Sequence, residues 1–445
     1  MSSSSPRGRY NRRQFLASTA VASAASAVFA APAVMWAAPS RTLNIGCIGI
    51  GGKGASDTSS MADAGHRIVA VCDIDEQRLA AAKAKYNAAA YSDWRKLLEH
   101  DGLDAVTVST PDHTHAPATM EALRRGLHTY TQKPLTHDVF ESRQLAKAAE
   151  QHKAITQMGI QHHSSTRLKS AVELIQSGVI GKVREAHAWT DRPGTFWEQG
   201  LKTPGNTAPV PEHVHWDLWL GTAPERPYSA GLHPFHWRGW WDFGTGALGD
   251  MGCHLLDPVV SALKLGPPRT VSAEGPEPLP GSGPKWCVVT YRFPGTAYAD
   301  DNVKVVWYEA GRMPPADIFL APKDWPGSKN GVLFVGAKGN LFVGFPEDVQ
   351  LFPQGDFADT KIPRPAADNH YSQWTDAILA GQQPSCPFEY SAPLTESVLL
   401  GNVAFRSGQT IVWNSKELRC EQNDADFANS LIRRTYRKGW EVEGL

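Results

Sequence analysis

The 445-residue chain has little net charge, no long block of one sign and few cysteines. Lysine and arginine total 44 against 45 acidic residues, a formal net charge of −1. That balance excludes a nucleic-acid footprint or a polybasic membrane patch as the basis of function. The six cysteines (Cys47, Cys72, Cys253, Cys287, Cys386, Cys420) include no C-x-x-C pair, which removes the zinc-ribbon and thioredoxin-type readings. Histidine is plentiful, but His162-His163, His213/His215 and His233/His236 lack a carboxylate at a recognisable ligand spacing such as H-E-x-x-H. No catalytic metal is therefore expected.

Residues 1 to 40 read as an export leader, not as fold. Asn11-Arg12-Arg13-Gln14-Phe15-Leu16 precedes an Ala/Val/Ser-rich run from Ala17 to Ala38, the order of a twin-arginine signal. The run is too rich in small residues and serine for a convincing membrane anchor. The expectation is export through the twin-arginine machinery to the periplasm or beyond. That route carries folded proteins, and a compartment without a free nicotinamide pool favours a tightly held cofactor.

A strong pattern begins at Leu43. The run Leu43–Ile50 is short and apolar, as in a strand buried on both faces. It leads into Gly49-Ile50-Gly51-Gly52-Lys53-Gly54, then a helical stretch, then Arg67–Cys72 ending at Asp73. Strand, G-x-G-x-x-G, helix, strand and terminal acid in that order form a dinucleotide-binding fingerprint. Its glycines permit a tight turn and close approach to a pyrophosphate, while the helix N-terminus faces the phosphate charge. Asp73 suits the adenosine ribose hydroxyls and favours NAD over NADP, although Arg78 lies nearby. Alternation continues through strands at 103–109, 127–131 and 154–160, with helices at 94–98, 116–125 and 137–152. The first domain, 41–161, is thus expected to be an α/β Rossmann domain. Gly49, Ile50, Gly51, Gly54, Asp73, Thr110, His115, Lys133 and Gln161 are its candidate cofactor residues.

From 162 to 445 the pattern changes to an α+β domain. Strands are expected at 182–191, 286–293, 302–309, 331–336 and 340–344, in a mostly antiparallel open sheet. Residues 193–212 and 311–330, rich in proline and glycine, read as lid or binding loops. C-terminal helical stretches should pack back onto the body. Seven tryptophans fall within 189–241, interleaved with charged residues. Flat rings with polar partners suit sugars, though most such rings belong to cores. Trp237, Arg238, Arg192 and His163 are the candidate substrate residues.

Four ordered motifs make the chain similar to the glucose–fructose oxidoreductase / inositol dehydrogenase / MocA family. They are Gly49–Gly54, the T-P-x-x-x-H turn Thr110–His115, Gln132-Lys133-Pro134, and Asp250-Met251-Gly252-Cys253-His254-Leu255-Leu256-Asp257. The resemblance implies an NAD(P)-dependent oxidoreductase acting on a sugar or polyol, with Lys133, Asp250 and His254 as the catalytic set. Helical spacing would place Asp250 and His254 on one face. Histidine suits the removal of a hydroxyl proton, the carboxylate orients it, and the ammonium polarises the oxygen. Gln132 departs from the usual glutamate, removing a carboxylate beside Lys133. The resemblance and the open sheet also suggest a homodimer or homotetramer. Two alternatives stand beside the dehydrogenase: a redox-neutral glycoside hydrolase or lyase that recycles bound NAD, and a non-catalytic sugar-binding protein.

Overall fold

Short apolar runs punctuated by glycine become a parallel sheet because both of their faces need cover. The computed structural model describes residues 42–194, 196–345 and 348–445. The expected leader, with Arg12 and Arg13, lies outside them. The first elements are β1 (Asn44–Ile48), α1 (Lys53–Asp63), β2 (Arg67–Cys72), α2 (Glu76–Tyr86), β3 (Ala89–Tyr91), α3 (Trp94–Leu97), β4 (Ala105–Val108), α4 (Asp112–Arg124), β5 (His128–Gln132), α5 (Val139–Gln151) and β6 (Thr156–Gly159). Their strands pair in parallel in the order β3-β2-β1-β4-β5-β6. The chain winds outward in both directions from β1, so the carboxyl ends of β1 and β4 flank the switch point where such sheets bind ligands.

Helix α4 begins at Asp112, earlier than the composition suggested. Pro111 precedes it with a fixed φ, and Asp112 adds a negative charge to the first turn. The T-P-x-x-x-H motif is therefore half turn and half helix.

The second part comprises α6 (Thr166–Gln176), β7 (Val183–Trp189), α7 (Trp216–Leu220), α8 (Gly246–Leu255), α9 (Asp257–Leu263), β8 (Thr270–Glu274), β9 (Val288–Phe293), β10 (Ala299–Tyr308), β11 (Gly331–Gly336), β12 (Asn340–Gly344), β13 (Val349–Phe352), α10 (His370–Ala380), α11 (Phe388–Ser407), β14 (Ile411–Asn414), β15 (Arg419–Cys420) and α12 (Asp426–Ser430). The nine strands run β13-β12-β11-β7-β10-β9-β8-β14-β15, with only β7–β10 parallel. Helix α11 packs on α5, α8 and β8, with Leu394, Val398 and Leu400 fully buried. Trp374 of α10 is buried against Tyr130 of β5, which ties the C-terminal part to the first sheet.

The segment 246–264 holds two helices: α8 ends at Leu255 and α9 starts at Asp257-Pro258. Pro258 has no N–H to continue the ladder and is tolerated only in a helix's first turn. The loop 311–330 is a cover for the core, not a lid. Phe319 and Trp325 pack on Trp189, Phe342 and Phe352, closing a hydrophobic cluster on the sheet.

Arg434 locks the C-terminal segment to the Rossmann helices. Its guanidinium donates to Glu141 Oε1 (2.7 and 2.9 Å), the His113 carbonyl (2.7 Å) and Thr222 Oγ1 (3.0 Å). Burial and the Glu141 charge push Asp138 up to about 8, against the pull of Arg434. Arg434→Ala leaves buried carboxyls without their cation, and should lower the unfolding free energy by about 3–5 kcal/mol. Urea denaturation followed by tryptophan fluorescence measures this; an unchanged midpoint would contradict the assignment.

Candidate active site

The glycine turn is built for backbone proximity. Gly49 has φ 78°, and a Cβ there would lie 2.8 Å from the Ser109 carbonyl oxygen. A Cβ on Gly54 would fall 1.9 Å from the Gly49 carbonyl, so the last glycine serves helix-on-turn packing and no other residue fits. The Ile50 N–H donates to Asp73 Oδ2 and the Asp75 N–H to Asp73 Oδ1, both at 3.0 Å. Asp73 thus braces the turn. Burial raises its pKa, offset in part by these amides and by Arg78.

Two expected residues brace the strand ends from behind. His115 faces the Pro134 carbonyl through Nδ1 (2.7 Å) and the Thr110 carbonyl through Nε2 (2.8 Å), which clamps the turns after β4 and β5 together. Gln161 donates to the Tyr130 hydroxyl at 2.8 Å.

The chemistry gathers where β5 meets α8. Lys133 Nζ donates to the Asp250 carbonyl oxygen (2.7 Å) and to its Oδ1 (2.8 Å). Arg192 donates to Asp250 Oδ2 at 2.6 Å, and Arg238 Nε stands 3.6 Å from Oδ1. Burial alone would push the Asp250 carboxyl up. Lys133, Arg238 and Arg192 outweigh it and hold the group far below the usual carboxylate range. Asp250 is therefore a permanent anion that fixes the ammonium, and its two oxygens are taken by cations instead of orienting His254.

His254 lies one turn further along α8, partly buried, with its ring edge-on to His162 at 5.4 Å. Burial, aided by Lys133, His162 and Arg192, drives its pKa well below 6.5, so the imidazole is neutral. Its Nδ1 is buried without a hydrogen-bond partner. His163 belongs elsewhere: its Nδ1 bonds both oxygens of Asp257 (2.9 and 3.0 Å), and Tyr390 also donates to Asp257. That cluster is structural.

A cavity of about 300 Å³ joins these parts. It runs from Gly49, Gly51 and Lys53 past Asp73, Arg78 and Thr110 to Lys133, Trp237, Arg238 and Asp250. Ile50, Gly54, His115, Gln161, His163, Arg192 and His254 are not on its wall; Arg192 touches it only through Asp250. Sequence reading missed Trp219, His233 and Phe235 on the wall, and it missed Asp112. Asp112 accepts from Thr245 Oγ1 (2.6 Å) and N (3.1 Å), pinning the start of α8 to the start of α4. An acid inside the Thr110–His115 motif was the available signal. The loop residues 233 and 235 carried none. Among the described residues, no group of three His, Cys, Asp or Glu side chains is placed to hold a metal.

Gln132 does not leave Lys133 short of a partner. Its Nε2 donates at 2.9 Å to Asp57 Oδ2, a fully buried carboxylate that also receives Ser109 Oγ (2.8 Å), the Tyr371 hydroxyl (2.8 Å) and Lys53. The amide at 132 is the complement of the acid at 57.

Residues 43–160 match the NAD-binding Rossmann model of the GFO/IDH/MocA oxidoreductase family, and 164–442 match its C-terminal alpha/beta domain. The chain belongs to the glucose–fructose oxidoreductase / inositol dehydrogenase / MocA family. Among relatives, an inositol 2-dehydrogenase of Rubrobacter xylanophilus is 28% identical over 145 residues, 32% of this chain and 42% of that protein. A 2,7-anhydro-N-acetylneuraminate hydratase of Mediterraneibacter gnavus is 25% identical over 206 residues, 44% of this chain and 54% of that one. These alignments span only about half, or less, of each relative. The WlbA dehydrogenase of Bordetella pertussis, solved with NADH and UDP-GlcNAcA, superposes with a TM-score of 0.58 at 18% identity, covering 84% of this chain and 99% of that one. Within this family, the Rossmann domain followed by a mostly antiparallel mixed sheet is the shared architecture.

Gln132→Glu tests the pairing with Asp57. Two carboxyls would then share one buried site, and one of them would titrate with a raised pKa in the folded state. A raised folded-state pKa costs stability as pH climbs above the unfolded value of about 4.3. The variant should match wild type near pH 4 and lose about 1–3 kcal/mol by pH 8. Denaturation curves at both pH values decide; a loss independent of pH would contradict the pairing.

Proposed function

We propose that the protein is an NAD(H)-dependent oxidoreductase that interconverts a secondary hydroxyl and a ketone on a sugar or polyol. The observation that carries this reading is the single crevice linking the glycine turn to the Lys133–Asp250 pair. The residues fit a dinucleotide: glycine backbone at the turn, the N-terminus of α1 for the pyrophosphate, and the Asp73 carboxylate for the ribose. NAD is favoured over NADP because Asp73 would repel a 2′-phosphate, and we expect it to be held tightly. When bound, the nicotinamide supplies the site that accepts or returns a hydride.

The protein's part is to position and to move a proton. Lys133, fixed by the ionised Asp250, donates to the reacting oxygen and stabilises developing alkoxide. His254, neutral in its surroundings, takes the hydroxyl proton in oxidation and returns it in reduction. Trp237, with Arg238 beside it, supplies a flat apolar wall for a sugar's C–H face. A redox-neutral cycle, in which bound NAD is reduced and reoxidised within one turnover, is a second reading. The hydratase relative favours it.

Purified protein supplied with NAD and a panel of sugars and polyols should generate absorbance at the wavelength of reduced nicotinamide. Lys133→Ala should lower kcat/KM about 10²–10⁴-fold while NAD binding, read by tryptophan quenching, persists. Product formed with only catalytic NAD and no net reduction would select the redox-neutral cycle. No product of either kind, with activity untouched by Lys133→Ala, would sink both.

We also propose export by the twin-arginine route and a homo-oligomeric state. The Arg12-Arg13 signal supports the first. Replacing both arginines by lysine should strand the full-length protein in the cytoplasm, as cell fractionation reports; unchanged export would refute it.

A further inference from the structure

The substrate end of the cavity holds more positive charge than its acids balance. Lys133, Arg192 and Arg238 all converge on one carboxylate, Asp250. The other acid on this wall is Asp112. It is buried, its Oδ2 accepts from Thr245, and burial raises its pKa against the pull of His115, Lys133 and Arg238. Cations thus outnumber the acids around Asp250. A ligand that brings a negative charge is therefore favoured over one that does not.

The arginines are also mounted for recognition. The Arg238 guanidinium lies over the Trp237 ring (4.4 Å from its centroid) and the Phe235 ring (4.2 Å), and one of its nitrogens donates to the Phe235 carbonyl at 2.9 Å. The Arg192 guanidinium lies over Phe196 at 4.3 Å. Phe196 and Phe235 are 52% and 39% exposed, among the few large apolar side chains on the surface. Aromatic rings beside a guanidinium restrict the orientations of its fork, and a restricted fork suits bidentate recognition of an oxyanion.

We propose that the substrate is an anionic sugar, carrying a carboxylate or a sulfate ester that Arg238 engages while Arg192 and Lys133 hold Asp250 in place. The inference rests on the dehydrogenase reading for the position of the sugar, but its recognition chemistry is tested separately. A neutral sugar leaves Arg238 only a share of Asp250, which Lys133 and Arg192 also engage; an acidic one brings it a counter-charge of its own through charge-assisted hydrogen bonds.

Calorimetric titration of the NAD-loaded, full-length protein with glucuronate, glucose 6-sulfate and glucose reads the preference directly. At least one anionic sugar should bind about tenfold or more tightly than glucose, with an advantage that shrinks as salt is raised. The better of the two anionic ligands identifies the group as carboxylate or sulfate. Arg238→Gln should abolish the preference, Arg238→Lys should keep part of it, and Arg269→Gln, at an exposed pair with Asp301, should keep it whole. Equal affinity for all three ligands, no binding of either anionic ligand, or a preference untouched by Arg238→Gln would overturn the inference. Anion-selective binding without nicotinamide reduction would keep it and overturn the dehydrogenase. Reduction on neutral sugars without anion preference would do the reverse.

Discussion

The ion pair between Lys133 and Asp250 is the joint on which the site depends. Lys133 stands at the end of β5, in the parallel sheet; Asp250 sits in the middle of α8, in the other half of the chain. The ammonium bonds both the backbone oxygen and Oδ1 of the same residue, which fixes the helix's position and rotation against the strand end. A second tie, from Asp112 to Thr245, pins the start of α8 to the start of α4. With two points held, His254 one turn further has little freedom in where its ring lies. The crevice between the glycine turn and α8 is defined by the same two contacts.

Charge sets the protonation states around that crevice. One carboxylate among three cations stays ionised, and two of them, Lys133 and Arg192, help burial to keep His254 neutral behind the wall. A buried pair of this kind is weak evidence for stability, since desolvation offsets most of the Coulomb gain. Its value here lies in geometry and proton inventory: a fixed ammonium, a fixed anion and an uncharged imidazole close together. The braces behind the wall, His115 between two turns and Gln132 on Asp57, serve the same end without facing the cavity.

Much of this was legible before any coordinates. Strands buried on both faces read as short apolar runs, and the glycines at 49–54 have steric reasons visible in their spacing, so the first sheet followed from the chain. The edge strands β3, β13 and β15 were missed; they are short and lack a clear period of two. Motif residues were named correctly as a group, but motifs do not state partners. Asp250 was expected to orient His254 and instead grips Lys133 and Arg192. Gln132 stood out only as a carboxylate removed from beside Lys133, and its partner proves to be Asp57, 75 residues away. The tryptophans illustrate the same limit. Of the seven within 189–241, Trp189, Trp197, Trp240 and Trp241 are buried away from the cavity, Trp216 and Trp219 stack on one another at 4.5 Å, and Trp219 and Trp237 line the cavity, joined there by Trp94 of the first domain. Pair contacts between distant segments arise from packing, which a single sequence does not encode in any local pattern.

The most direct test of this arrangement is a crystal structure of the protein with NAD and a bound sugar. The nicotinamide ring should lie at the α8 end of the crevice, with the Lys133–Asp250 pair intact and the ammonium within hydrogen-bond reach of a sugar oxygen. A nicotinamide ring lodged elsewhere, or a ligand that leaves Lys133 and Asp250 parted and pointing away from it, would contradict it.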